Sequence, residues 1–285
     1  MNTEPIQTIS VIIPCRGSKN DTRPLEQDIE RQKISFEKEV VIVPNVFPAA
    51  LARNKGAVQA QGQVLVFCDA DIRIDDELLL AKLIKPLVED KNIAMSCAAV
   101  RIPRSSNAFQ QNYARQIPLT QTEIAKKLTD VFQVPAACCA ILKETFDKAG
   151  GYNENLMRGE DPELSRRLQR GGYRLVLVPD AWYYHPAPKG FSELARIQFR
   201  NGRAVAHVDK FYPELNVDLN QKSIAEKSEQ KSKLYRMFRF VGRLFQAVFK
   251  LQILFVLAKI FYGLGYITEN LCFLCGLCKK RRVDE

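Results

Sequence analysis

The sequence predicts an α/β fold, a mixed, mostly parallel sheet flanked by helices, followed by an amphipathic, membrane-associated helical segment at the C-terminus. Two observations carry the first part. Short β-branched runs alternate with stretches of helical spacing through the first two thirds of the chain, and such alternation builds a parallel sheet covered on both faces. A third observation carries the second part: beyond residue 233, aromatic and aliphatic residues interleave with arginine and lysine.

Residues 9–14 form a β-branched run stopped by Pro14, and it leads into the loop Cys15-Arg16-Gly17-Ser18. Residues 25–36 have helical spacing. Residues 40–43 are a second β-branched run, and Pro48 begins a helix that ends near Gly62. Residues 64–68 make a third strand, which delivers Asp69-Ala70-Asp71. Asp75-Asp76-Glu77 then opens a helix carrying Leu79, Leu83 and Leu87. Residues 93–100 read as a fourth strand. The polar stretch 104–128, with Pro118 inside it, is expected to be an irregular or helical excursion that helps bind an acceptor. Order returns with a short helix over 143–149, a Gly150-Gly151 turn, and a helix from Gly159-Glu160-Asp161-Pro162 to about Arg170. A last strand over 173–178 delivers Trp182-Tyr183-Tyr184-His185. The expected division is one domain over 1–219, then a linker and basic, apolar helices over 220–285.

A chain of 285 residues with 46% hydrophobic content can bury one sizeable core plus an appendage. Its net charge is +10, and the distribution of that charge decides what it means. Residues 220–285 hold thirteen Lys or Arg against five Asp or Glu, which leaves the first 219 residues at +2. A near-neutral globular part with a basic, apolar tail argues against nucleic acid as a partner and for an anionic membrane surface. Of the eight cysteines, Cys15, Cys68, Cys97, Cys138 and Cys139 come first, and four of these five sit in apolar surroundings, which fits a reducing compartment. The first eight residues are polar and carry no signal-peptide core. The expected location is the cytoplasmic face of the cell membrane.

Asp69 and Asp71 leave the third strand at its carboxyl edge, where open α/β sheets bind ligands. Two carboxylates there suit a hard divalent ion, Mg²⁺ or Mn²⁺, which shares its remaining positions with phosphate oxygens and water. An Asp-x-Asp pair taken singly also serves as a helix cap, so the surrounding motifs decide.

Those motifs come in one order: Ser10-Val-Ile-Ile-Pro14 with Arg16-Gly17; Ala52-Arg53-Asn54-Lys55-Gly56; Gly62 through Asp69-Ala70-Asp71; Gly150-Gly151-Tyr152-Asn153-Glu154; Gly159-Glu160-Asp161 with Arg166 and Arg167; and Tyr184-His185. Together they resemble the inverting, nucleotide-sugar-dependent glycosyltransferases of family 2, which have the GT-A, Rossmann-like fold. The resemblance implies that Asp161 is the catalytic base and that Asp71 and His185 ligate the metal. It implies a donor-binding set of Pro14, Arg16, Arg53, Asn54, Asp69, Asp71 and Arg203, with Arg200 and Arg203 in the basic segment near the diphosphate. The implied donor is a UDP-sugar; the expected acceptor, which rests on the apolar, basic tail alone, is a lipid-linked or cell-envelope glycan. One departure concerns the base: many members carry Asp-Asp-Gly-Ser after the second strand, where this chain has Asn45-Val46-Phe47-Pro48. A non-catalytic nucleotide-sugar-binding regulator is the alternative function.

Within the tail, residues 251–271 contain only Lys259 and Glu269 as charges and are long enough for one crossing. Basic residues flank both ends, Arg236 to Arg243 before and Lys279 to Arg282 after, which disfavours a crossing. The expectation is a pair of helices broken around Gly263-Leu264-Gly265, lying on or dipping into the membrane. A tail that covers the protein's own core or a dimer face is the alternative. Cys272, Cys275 and Cys278 are expected to pack as plain apolar residues.

Overall fold

The structure, a computed structural model, describes residues 6–17, 19–117, 120–213 and 233–276. The strands are β1 (Thr8–Cys15), β2 (Glu37–Pro44), β3 (Val64–Cys68), β4 (Ile93–Arg101), β5 (Thr129–Asp130), β6 (Cys138–Leu142) and β7 (Arg174–Tyr184). The helices are α1 (Arg23–Glu30), α2 (Ala49–Gln59), α3 (Leu79–Glu89), α4 (Ala108–Gln116), α5 (Lys143–Lys148), α6 (Glu160–Arg170), α7 (Phe191–Phe211), α8 (Lys233–Phe249) and α9 (Ile253–Leu274). They gather into two compact units, one of Met1–Arg101 with Gln121–His185, the other of Ile102–Thr120 with Pro186–Glu285. The expected boundary at 219/220 falls outside the described residues, as do the linker up to residue 232, Ser18, Pro118, Cys278 and the basic run from Lys279.

The first unit holds one seven-stranded sheet in the order β2-β1-β3-β6-β4-β7-β5. β1 pairs in parallel with β2 and β3, and β4 with β7, while β6 and β5 run against their neighbours. Five strands therefore share a direction, so the sheet is mixed, with most strands running one way. Alternate residues of β1 and β3 enter opposite layers. Ile9, Val11, Ile13, Val64 and Val66 pack with Leu25 and Ile29 of α1 and with Leu79, Leu80, Leu83 and Leu87 of α3. Ile12, Leu65 and Phe67 pack on the other face with Ala50 and Ala57 of α2, Phe146 of α5 and Leu164 and Leu168 of α6. Because both faces are covered, β3 is apolar at every position and wholly buried.

Three expectations are corrected here. The helix expected over 25–36 stops at Glu30. The helix expected to open at Asp75 begins at Leu79, and Asp76 stands ahead of it, its Oδ1 accepting the Leu78 N–H at 2.9 Å. β6, which runs down the middle of the sheet, was not expected. Its Cys-Cys-Ala-Ile-Leu sequence carries little β-branched signal, and it is a strand because β3 and β4 offer edges on either side.

In the second unit, α7 and α9 pack backbone against backbone. A Cβ on Gly202 would lie 1.9 Å from the Tyr262 carbonyl oxygen, and one on Gly265 would lie 2.0 Å from that of Phe199. Only glycine permits this approach. The expected break at Gly263-Leu264-Gly265 is therefore absent: those residues lie inside a continuous α9, and Gly265 serves helix packing. The break comes instead at Lys250–Gln252, where Leu251 takes φ +52°. No helix among the described residues is long and apolar enough to cross a membrane. Cys272 is disulfide-bonded, which corrects the expectation of plain packing there, and Cys275 is free and exposed. The first five cysteines are buried thiols outside any disulfide.

Candidate active site

β1 and β3 lie side by side, and the chain leaves β1 toward β2 on one flank before returning through α2 to β3 on the other. Such a switch opens a crevice at the carboxyl ends of the strands. Asp69 leaves β3 at this point, its N–H bonded to the Ala137 carbonyl at 3.0 Å. The neighbouring Ala136 donates its N–H to Asp161 Oδ2 at 3.0 Å, and Val134 donates to Ser165 Oγ at 3.0 Å. The segment just before β6 thus fastens the end of β3 and the start of α6 to consecutive residues. That is how two acids 92 positions apart in sequence share one site.

Arg53 of α2 holds the centre. Its side chain is 5% exposed, and it pairs with Asp69 Oδ1 at 2.9 Å, Glu160 Oε1 at 2.8 Å and Asp161 Oδ1 at 3.9 Å. The guanidinium also lies over the Tyr152 ring, 5.5 Å from its centroid. Burial opposes its charge, but the fields of Asp69, Asp161 and Glu160 outweigh burial and hold it charged. Asp161 is pushed the other way. Burial, with Glu160 adding to it, raises its carboxyl to about 7, against the pull of Arg53 and the Ala136 N–H.

Asp69, Asp71 and His185 offer ligand atoms that all lie within 4.8 Å of one another. His185 Nε2 stands 3.7 Å from Asp71 Oδ1 and 3.9 Å from Asp69 Oδ2. Two carboxylates and one imidazole, partly open to solvent, fit a divalent cation that keeps positions for a ligand. Their meeting depends on Arg73 and Tyr184, which exchange backbone hydrogen bonds at 2.9 Å in each direction. His185 is held further by its N–H to the Arg101 carbonyl at 2.8 Å. Arg73 is in turn clamped by the buried Asp28, at 2.7 Å through Nε, and Asp28 also accepts the Ile74 N–H at 2.9 Å. Those bonds outweigh burial and hold the Asp28 carboxyl below its usual range. The sequence reading missed Asp28. Its signal was an acid at an apolar position, spaced with Leu25 and Ile29 on one face of α1.

The other expected site residues divide. Asn54 is committed to the loop after α5: its Nδ2 donates to the Tyr152 carbonyl and to Glu154 Oε1, both at 2.8 Å, and its Oδ1 accepts the Tyr152 N–H at 2.9 Å. It fits there only because Gly151 has no side chain, since a Cβ at that position would lie 2.8 Å from Asn54 Oδ1. Pro14 lies within β1, opposite Val43 and one residue before the strand's end at Cys15. Arg16 lies over the Phe47 ring, 4.5 Å from its centroid, and Asn45 grips Gly17 from both sides, at 2.9 and 3.3 Å. The Asn45–Pro48 segment that departs from the family pattern is thus bound to the loop after β1. Arg203 belongs to the second unit, where its Nε donates to Glu269 Oε2 at 2.6 Å, and Arg200 lines an open cavity there.

The chain resembles known proteins in sequence and in structure. It is 25% identical over 187 residues to the O-antigen chain rhamnosyltransferase WbaN of Salmonella anatum, a match covering 63% of this chain and 57% of that one, so the chain spans just over half the relative's length. Among solved structures, the mannosyltransferase PcManGT from Pyrobaculum calidifontis in complex with GDP-Man and Mn²⁺ shares the fold at a TM-score of 0.59. It is 13% identical, over 94% of this chain and 88% of that one. GalNAc-T7 with UDP, GalNAc and Mn²⁺ aligns at a TM-score of 0.51 and 16% identity, over 83% of this chain and 54% of the other. The family model for glycosyl transferase family 2 matches residues 7–150, just over half of the sequence and all of the chain from β1 past Asp69 and Asp71. On that match, the chain belongs to glycosyl transferase family 2.

Proposed function

We propose that this protein transfers a sugar from a nucleotide-diphosphate donor to an acceptor hydroxyl with inversion at the anomeric carbon. The observation that carries the reading is the joining of two acid sets through one buried guanidinium: Asp69 beside Asp71 and His185, and Asp161 beside Glu160. The family match ends at residue 150, so the roles of Asp161 and His185 rest on this geometry.

Asp71 and His185, with Asp69 beside them, would hold Mn²⁺ or Mg²⁺, and the imidazole favours Mn²⁺. When bound, the cation offsets negative charge on the departing diphosphate. Asp161 is the base. Its raised affinity for protons suits it to take one from the acceptor hydroxyl as that oxygen attacks, and inversion in a single displacement requires no covalent intermediate. Arg53 keeps Asp69 and Asp161 in place. Pro14, Arg16 and the Asn45–Pro48 segment bound to Gly17 would form the wall for the nucleoside, and a UDP-sugar is the first donor to test. Asn54 supports the donor site by anchoring the loop beside it.

The acceptor we propose is a lipid-linked or cell-envelope glycan, met at the cytoplasmic face of the membrane, with no role for nucleic acid. The relative's O-antigen chemistry and the composition of the tail support this. Phe238, Phe245, Phe249 and Leu251 are exposed on and just after α8, among the basic residues that make residues 220–285 carry +8.

The test is a panel of nucleotide sugars incubated with the purified chain, Mn²⁺ and membrane extract. One donor should be consumed, and a chelator should stop it. A chain that leaves every donor intact, with and without extract, is the regulator of the alternative reading and not a transferase.

A further inference from the structure

Three sides of α9 are occupied. Gly265 lies against the Phe199 carbonyl of α7, which an added Cβ would meet at 2.0 Å, and Gly263 faces the Phe240 ring of α8, which a Cβ would meet at 3.9 Å. Leu254 and Ala258 join Tyr113 of α4 in an apolar cluster on a third side. The fourth side is open: Ile253, Ile260, Leu264, Ile267, Leu271 and Leu274 are 45 to 82% exposed. With the partly buried Leu257 they recur at alternating steps of four and three residues, the heptad seam of a coiled coil, and isoleucine alternates with leucine from Ile253 to Leu271. Neither charge of α9 is spent on this side. Glu269 is buried and accepts from Arg203 Nε at 2.6 Å, while Lys259 lies over the rings of Phe240, Phe255 and Tyr262. Thr268 and Asn270, the polar residues beside the seam, each bond a carbonyl one turn back, those of Leu264 and Tyr266, both at 2.8 Å.

We propose that this seam of α9 pairs with the same seam of a second copy of the chain. Six aliphatic side chains at this exposure leave on the order of 600 Å² of apolar surface in water, as much as the largest patch on an ordinary monomer. Pairing two copies removes about 1,200 Å² from water, which reaches the range of stable interfaces. Because one patch meets itself, the contact closes at two copies. An anionic membrane fits α8 instead, where the exposed Phe238, Phe245 and Phe249 stand among the exposed cations Arg243 and Lys250, the mixture that an interfacial helix presents. The seam of α9 offers no cation to a lipid head group, and its alternating steps let the side chains of two helices interlock. The pairing goes beyond the transferase reading and does not rest on it.

The experiment is sedimentation equilibrium of the full chain without lipid or detergent, from about 1 to about 50 μM, where an interface near the lower limit of stable size should assemble. The wild-type chain should reach the mass of two copies and stop there. Leu264→Glu with Ile267→Glu sets like charges against each other across the pair and should weaken it at least about a hundredfold, and Leu264→Ala should weaken it about tenfold. Phe245→Glu on α8 should leave the pair intact while lowering flotation with phosphatidylglycerol vesicles. The thermal midpoint shows whether each variant is folded, and Leu264→Ala decides the matter if the double variant is not. A wild-type mass of one copy throughout, or a mass that rises without a plateau, would overturn the proposal. So would an unchanged pair in the folded seam variants, or a pair lost in Phe245→Glu. If the wild-type chain stays single and the seam variants lose vesicle flotation, the seam is a lipid-facing surface and the pairing is wrong.

Discussion

The acid cluster at the end of β3 and the packed helices α7 and α9 solve opposite problems. Around Arg53, four charged groups are drawn into a mostly buried space, and each is matched by another or by a backbone N–H. Along α7 and α9, Arg203 gives its Nε to Glu269 at 2.6 Å, and large apolar side chains such as Phe191, Ile260 and Leu264 stay exposed. Burial forces internal pairing, because an unmatched charge away from water costs several kcal/mol. Exposure relaxes that demand, because water screens charge at the surface. The difference teaches that the first region is held by its own charge pairs, while the second is held by the close approach of two helices at Gly202 and Gly265.

The largest blow to this contrast would come from Asp161→Asn. It keeps the shape of the cluster but cannot accept a proton, so turnover should fall about a thousandfold while donor affinity stays within a few fold. Steady-state kinetics with a parallel donor titration reads both, and equal turnover would remove Asp161 from the chemistry. Arg53→Met comes next. It leaves Asp69 and Glu160 without their shared partner, and denaturant unfolding should show a loss of about 3 kcal/mol. A loss below about 1 kcal/mol would mean that the acids need no internal cation.

Gly202→Ala sharpens the comparison from the other side. The added methyl meets the Tyr262 carbonyl oxygen at 1.9 Å, so α7 and α9 must separate, at about 2 kcal/mol. The loss should show in thermal unfolding while the affinity for Mn²⁺ is unchanged, since every residue assigned to the cation lies in the first unit. The smallest effect is in pH. The Asp161 carboxyl titrates near 7, and its basic form disappears as pH falls through that value. The kcat/KM profile should therefore lose about tenfold per pH unit below 7 and level off above it. A profile flat from 5 to about 8 would place the proton acceptor elsewhere.

Much of the sheet was legible in the sequence because β1 and β2 are β-branched runs and β3 is a short, wholly apolar one, whose side chains suit a pleated surface packed on both faces. β6 was not legible, since cysteine and alanine fit a helix or a strand alike. In the tail, Gly263 and Gly265 read as a helix break by propensity. A glycine inside a helix also permits close approach of another helix, and no local pattern separates the two uses. Asp69 and Asp71 could be named from their place after a strand, whereas Asp161 and His185 took their roles from the family resemblance. The structure adds that Arg53 joins two of them, and that Arg73 with Tyr184 draws Asp71 toward His185.

By itself, then, the sequence determined the α/β class, the candidate acids and the basic, apolar character of the tail. The class and the tail follow from side-chain chemistry and short-range periodicity, and the acids from these together with the family resemblance. Only the tertiary structure decided which acids share a cation, how deeply Asp161 is buried, and where the tail bends. Those outcomes depend on contacts between residues far apart in sequence, such as Arg53 with Glu160 or Gly202 with Tyr262, whose energies no local window contains.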